Sequence, residues 1–202
     1  ERQLRRGGAE MAGEVRLSLS PVIVAQPIMA VIAELLAEFP ALSVPQSRRW
    51  TSADVDSHEV DVAVVVVRQP PGHLIGRSGG TMTFAAWASG RVHEQWPDAC
   101  SWLPSRLQQE IAPDYQVADV AVAGMLDTPE LQMAAVRSGL GASLLPCFEA
   151  RREPELVELP LPRVNAELWV LSHPDSRGVR RIQLLARRLA DALQREDFWL
   201  AP

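Results

Sequence analysis

Ala134-Ala135-Val136-Arg137-Ser138-Gly139-Leu140-Gly141-Ala142-Ser143-Leu144-Leu145-Pro146-Cys147-Phe148 packs a helix end, a glycine turn, an apolar strand and a proline stop into consecutive residues. A helix ends at a Gly-x-Gly turn, an apolar strand runs from Gly141 to Leu145, and Pro146 stops it. A helix feeding a buried strand through so tight a turn is a joint of an α/β domain, because a strand that is apolar on both faces needs cover on both.

Upstream of this joint, Val15-Arg16-Leu17-Ser18-Leu19-Ser20 alternates as a first strand. Ile28, Val31, Ile32, Leu35, Leu36 and Phe39 then recur at helical spacing, with Pro27 in the first turn and Pro40 as the stop. A short strand over residues 42–46, a turn or short helix over 51–57 and the apolar strand 61–67 complete a βαβαβ unit. After the Pro70-Pro71-Gly72 turn, the sequence predicts one short strand at 74–77 and a separate one at 82–89. It then predicts a helix near 101–111, a strand over 116–122, a helix opened by Asp127-Thr128-Pro129-Glu130, a strand at 167–172 and a last helix at 179–194. Asp127 and Glu130 have capping-box spacing, and Pro129 suits the first helical turn. Ile182, Leu185, Leu189 and Leu193 form one face of the last helix.

Composition narrows the function. All 20 basic residues are arginine, 25 acidic residues outnumber them, and the net charge is −5, so the chain by itself is a poor DNA binder and suits a small-molecule or protein partner. Cys100 and Cys147 match no metal or redox spacing, and reduced thiols in a cytoplasmic protein are expected. The longest apolar run, Val62 to Val67, is far below the roughly 18–20 residues that span a bilayer, and no membrane partner is expected.

In order, Gly13-Glu14-Val15-Arg16-Leu17-Ser18-Leu19-Ser20-Pro21, Glu59-Val60-Asp61-Val62-Ala63-Val64, Gly72-His73-Leu74-Ile75-Gly76-Arg77, the Gly139 to Phe148 block and Glu167-Leu168-Trp169-Val170-Leu171-Ser172-His173-Pro174 resemble successive segments of the effector-binding domain of LysR-type transcriptional regulators. The resemblance implies an α/β, two-lobed type II periplasmic-binding-protein-like fold with a hinge and a small-molecule effector held between the lobes. Residues 13–88 and 173–202 would form lobe I, 89–172 lobe II, and 1–12 the remnant of a linker from a missing N-terminal winged helix-turn-helix domain, through which alone the protein would touch DNA. It further implies a homodimer or homotetramer, with Met29, Leu131 or Met133 available for the contact, although core packing explains them more simply. The polar segment 47–56 is shorter than the family's usual second helix.

Candidate effector contacts each have a plainer alternative. Ser20, Pro21 and Val22 lie where the first strand hands over to the first helix, whose free N–H groups suit an anion; an ordinary capping serine is the alternative. Thr51 and Ser52 occupy the next strand-to-helix loop, beside Arg49 and Trp50, and are also plain turn residues. Leu126, Asp127 and Thr128 open a helix and cap it whether or not they meet a ligand. Trp87 and Ala88, with Ser89, fall where the resemblance implies a hinge strand, and Pro146 and Phe148 near the second lobe's side of the cleft; packing alone explains the rings. A carboxylate or an aromatic effector is expected, with Arg48, Arg49 or Arg91 as cations.

No cofactor or metal is expected, since His58, His73, His93 and His173 are scattered outside any ligand motif. No nucleophile elbow or phosphate-binding loop appears, and Gly76-Arg77-Ser78-Gly79-Gly80 reads as a turn, so no enzyme activity is expected. The rivals to a sensor domain are a free-standing solute-binding protein of the same fold and a small α/β enzyme.

Overall fold

The computed structural model describes residues 11–23, 25–47, 52–98 and 100–195, with the backbone alone of 25–27, 52 and 53. In chain order its elements are β1 (Gly13–Glu14), β2 (Leu17–Leu19), α1 (Ala25–Glu38), β3 (Leu42–Ser43), β4 (Gln46–Ser47), α2 (Ser52–Asp56), β5 (Val62–Val67) and β6 (Ile75–Ser89). There follow α3 (Gly90–Glu94), β7 (Ser101–Trp102), α4 (Arg106–Ile111), β8 (Ala121–Val122), α5 (Pro129–Arg137), β9 (Ser143–Pro146) and α6 (Cys147–Ala150). The chain closes with β10 (Leu156–Glu158), β11 (Val164–Ser172), a 3-10 turn (Pro174–Gly178) and α7 (Arg180–Arg195). The described residues form two compact units, 11–80 with 167–195 and 81–166, and β6 and β11 run from one into the other. The boundaries implied by the resemblance, 88/89 and 172/173, lie at the far ends of those same two strands.

In the first unit, β2 sits between β4 and β5 and pairs parallel with both, Leu17 meeting Gln46 on one side and Val62 on the other. β11 lies antiparallel beyond β5, with Val64 opposite Val170. All six residues of β5 are buried, which explains their uniformly apolar character. The α1 helix packs against α7, whose Ile182, Leu185, Leu189 and Leu193 are all buried, as their spacing requires. Asp61 fastens the sheet's entry edge: its carboxylate accepts from the Arg16 N–H at 2.8 Å, Nε at 3.1 Å and Nη2 at 3.0 Å. That fork and the field of Asp61 raise the Arg16 pKa.

In the second unit, β6 is flanked antiparallel by β9 and β10, with Phe84 opposite Pro146 and Ser89 opposite Leu156. Its core gathers Ala85, Trp87, Leu103, Val136, Leu145, Cys147, Ala150 and Leu156. The opening joint is realised in detail. The Gly139 N–H donates to Val136 and the Leu140 N–H to Ala135, closing α5, with Gly139 at φ 75°. At Gly141 a Cβ would stand 2.3 Å from the Ser101 carbonyl oxygen, so β7 can pass only because that residue is glycine.

Several expectations are corrected. The strands at 74–77 and 82–89 are one strand, β6, which passes through Gly80 at φ 110°, a conformation that glycine accepts without a side-chain clash. The helix near 101–111 begins only at Arg106; Ser101 and Trp102 pair with β8, and Ser105 accepts from the Gln108 N–H as the cap. The strand at 116–122 is reduced to Ala121 and Val122. Thr128, not Asp127, caps α5, accepting from the Leu131 N–H at 3.2 Å, because Pro129 then becomes the first helical residue.

Candidate functional site

In the larger sheet three parallel strands run in the order β4-β2-β5, so the chain leaves β2 to one side and returns on the other. In open α/β sheets, ligands bind beyond the carboxyl ends of the strands at such a reversal. Ser20 occupies that end of β2. Its N–H donates to the Val64 carbonyl of β5 at 2.8 Å and its own carbonyl accepts from the Ile23 N–H at 2.9 Å, holding a turn before α1. Ser20 is 7% exposed, Pro21 is half-buried and Val22 is buried. Among the described residues the Ser20 hydroxyl has no hydrogen-bond partner, which leaves it as the turn's uncommitted polar group. Ser52 starts α2 beyond the carboxyl end of the neighbouring β4, so the topology sets the start of α2 at the same edge of the sheet as Ser20. Thr51, Arg48, Arg49 and Trp50 lie outside the described residues.

In the second unit, Trp87 sits in the core, 5% exposed, and Leu126 packs against the same cluster. Ala88 is fully buried opposite Val157. The Leu126 N–H donates to the Pro104 carbonyl at 2.9 Å, which fixes the approach to the α5 cap. Asp127 is exposed, with Arg106 Nη2 at 4.0 Å, and Thr128 is half-buried in its capping role. Pro146 is buried at the end of β9, and Phe148, 5% exposed, is core. Arg91 is exposed, and its Nη2 donates to the Gly139 carbonyl at 3.4 Å.

Sequence reasoning missed two features here. Gln132 Nε2 donates to Ser143 Oγ at 2.9 Å, and that hydroxyl donates to the Leu103 carbonyl at 2.6 Å, a buried relay fastening α5 to β9. Gln132 reads as a surface residue until its partner is known. The second is a meeting of His58, His173 and Asp175, whose donor atoms all lie within 4.8 Å of one another. The two rings meet edge to face at 4.4 Å, and His58 takes φ 58°. Yet His173 Nδ1 already accepts from the Asp175 N–H at 3.2 Å as the cap of the 3-10 turn. That lone pair is therefore committed to the cap of the turn.

For chemistry, the site offers recognition. Burial pushes the Cys147 thiol up, and burial with Asp98 does the same for Cys100, the reverse of what an attacking thiolate needs. Among the described residues His73 pairs with Asp56 at 3.0 Å and no serine or cysteine joins them. No helix among the described residues is long and apolar enough to cross a membrane.

The family described as LysR substrate binding domain matches residues 8–194. No curated protein matches the sequence. Similar solved structures include the reduced form of the OxyR2 regulatory domain from Vibrio vulnificus, with TM-score 0.69 and 17% identity over 90% of this chain and 96% of that one. The regulatory domain of AphB from Vibrio vulnificus superposes with TM-score 0.67 at 17% identity, covering 89% and 100%. Full-length AphB, the virulence activator of Vibrio cholerae, gives TM-score 0.69 at 16% identity, covering 94% of this chain and 74% of that one.

Proposed function

This chain belongs to the LysR substrate binding domain family, and from that premise we propose that it senses a small carboxylate or aromatic effector through residues of both units, on behalf of a LysR-type DNA-binding transcriptional regulator. Ligand sensing is the family's role, and the family is regulatory rather than enzymatic. The observation that carries the proposal is Ser20 at the sheet's reversal point, its main chain fixed and its hydroxyl uncommitted. An effector carboxylate accepts from that hydroxyl and from the Val22 N–H, since Pro21 has none and the Ser20 and Ile23 N–H groups are already paired, and Thr128 at the α5 start is the second unit's proposed contact. The regulator works in the cytoplasm as a homodimer or homotetramer. Leu131, 55% exposed on α5, is its proposed contact, whereas Met133 packs on the core.

The test is a thermal-shift screen against small carboxylates and aromatics, since a ligand that binds only the folded chain raises its melting temperature. A hit whose affinity falls about ten-fold in Ser20→Ala, the expected cost of one lost charge-assisted hydrogen bond, supports the site. A hit insensitive to both Ser20→Ala and Thr128→Ala sinks it.

A further inference from the structure

The first unit holds a cavity of about 580 Å³ away from the Ser20 turn, walled by five arginines, Arg77, Arg177, Arg180, Arg187 and Arg188, against one acid, Glu38. They come from three separate elements, β6, the 3-10 turn and α7, so the concentration is made by the fold and not by a basic run in sequence. It is out of keeping with a chain of net charge −5. Glu38 is engaged by Arg188 Nη2. Among the described residues, Arg77, Arg177 and Arg187 have no ion-pair partner, and all three are exposed.

Helix polarity sharpens the imbalance. The α7 helix starts with Arg180 and Arg181 and has no acidic residue in its first turn, so positive side chains sit at the positive end of the helix dipole. An anion in the cavity offsets both the crowding of guanidinium groups and this unfavourable placement.

We propose that this cavity binds the diphosphate group of a small metabolite, at a site distinct from the effector contacts above. A guanidinium fork matches both carboxylate and phosphate, but one carboxylate satisfies one fork. Three uncommitted arginines facing a common space call for more oxygens and more charge, which two linked phosphoryl groups supply. The volume falls within the range of small-ligand sites, and Phe39 and Leu184 give an apolar wall for the rest of the molecule.

The test is calorimetric titration of the chain with sodium pyrophosphate and with orthophosphate at constant ionic strength. The expected result is saturable one-to-one binding of pyrophosphate, about ten-fold tighter than orthophosphate and weakened about ten-fold or more in the Arg77→Gln/Arg187→Gln variant. Arg68→Gln, which removes an exposed charge elsewhere in the unit, and Ser20→Ala should each change it less than about two-fold. Circular dichroism and the ligand-free melting temperature establish that the variants fold. If the double variant does not fold, Arg177→Gln takes its place. The proposal is overturned if pyrophosphate does not saturate, if orthophosphate binds as well, or if Arg68→Gln costs as much as the double variant. It is equally overturned if duplex DNA binds at these arginines and pyrophosphate does not compete, which would make the patch a nucleic-acid surface.

Discussion

The two units keep their polar and apolar groups in different order. In the first, Asp61 is matched on three sides by Arg16, and among the described residues no side-chain polar atom fully shielded from solvent lacks a partner, the slightly exposed Ser20 hydroxyl being the uncommitted one. In the second, the Ser89 hydroxyl, the Trp102 indole N–H, Gln108 Oε1 and the Tyr115 hydroxyl are buried without one, and Trp87 has at best the weakly accepting Cys147 sulfur. Among the described residues the exposed large hydrophobics, Val122, Met125, Leu131 and Leu140, also belong to the second unit. Buried unpaired groups cost free energy, and exposed apolar side chains mark surfaces that meet something else. The first unit's described groups are thus the more fully matched, whereas the second keeps both unpaired buried groups and exposed apolar side chains.

The most severe way to break this comparison is Gly141→Ala. The added Cβ collides with the Ser101 carbonyl, backbone that cannot swing aside, and we expect a loss of about 3 kcal/mol confined to the second unit, measured by urea unfolding. An unchanged midpoint would show that β7 moves freely past the joint. Asp61→Asn tests the first unit. It removes the charge from a carboxylate that accepts three hydrogen bonds, and should cost about 2 kcal/mol in the same assay. A cost below that of an exposed pair, about 0.5 kcal/mol, would place the first unit's order elsewhere.

The smallest effect concerns the chain's single tyrosine. Tyr115, stacked on Trp102 at 5.8 Å, has its pKa pushed up to about 12 by burial. The folded state keeps the phenol proton more tightly than the unfolded one. Stability from this group is therefore intact below pH 10 and falls as pH rises from about 10 to about 12. Phenolate absorbance should rise near pH 12 in the folded chain and near the ordinary value in urea. Coincident titrations would mean that Tyr115 is exposed.

Legibility in the sequence followed local physics. The Gly139-Leu140-Gly141 joint, the β5 run and the α7 face were readable because each is enforced within one element by turn geometry or periodicity. The merger of two expected strands into β6 was not, since Gly76, Gly79 and Gly80 signal a turn equally well. The cap at Thr128 was missed by one residue because Asp127 and Thr128 are both good caps, and only the position of the helix chooses between them. Ser20 was legible as the end of a strand, but its placement at the sheet's reversal needed the strand order.

By itself the sequence determined the family, the two-lobed α/β fold class and the apolar faces, since these rest on spacing along the chain. Tertiary structure alone decided which distant residues meet. Asp61 found Arg16, Gln132 found Ser143, His58 found His173, and five arginines from three elements came to share one cavity. Such meetings depend on the order and register of strands, which no local pattern encodes.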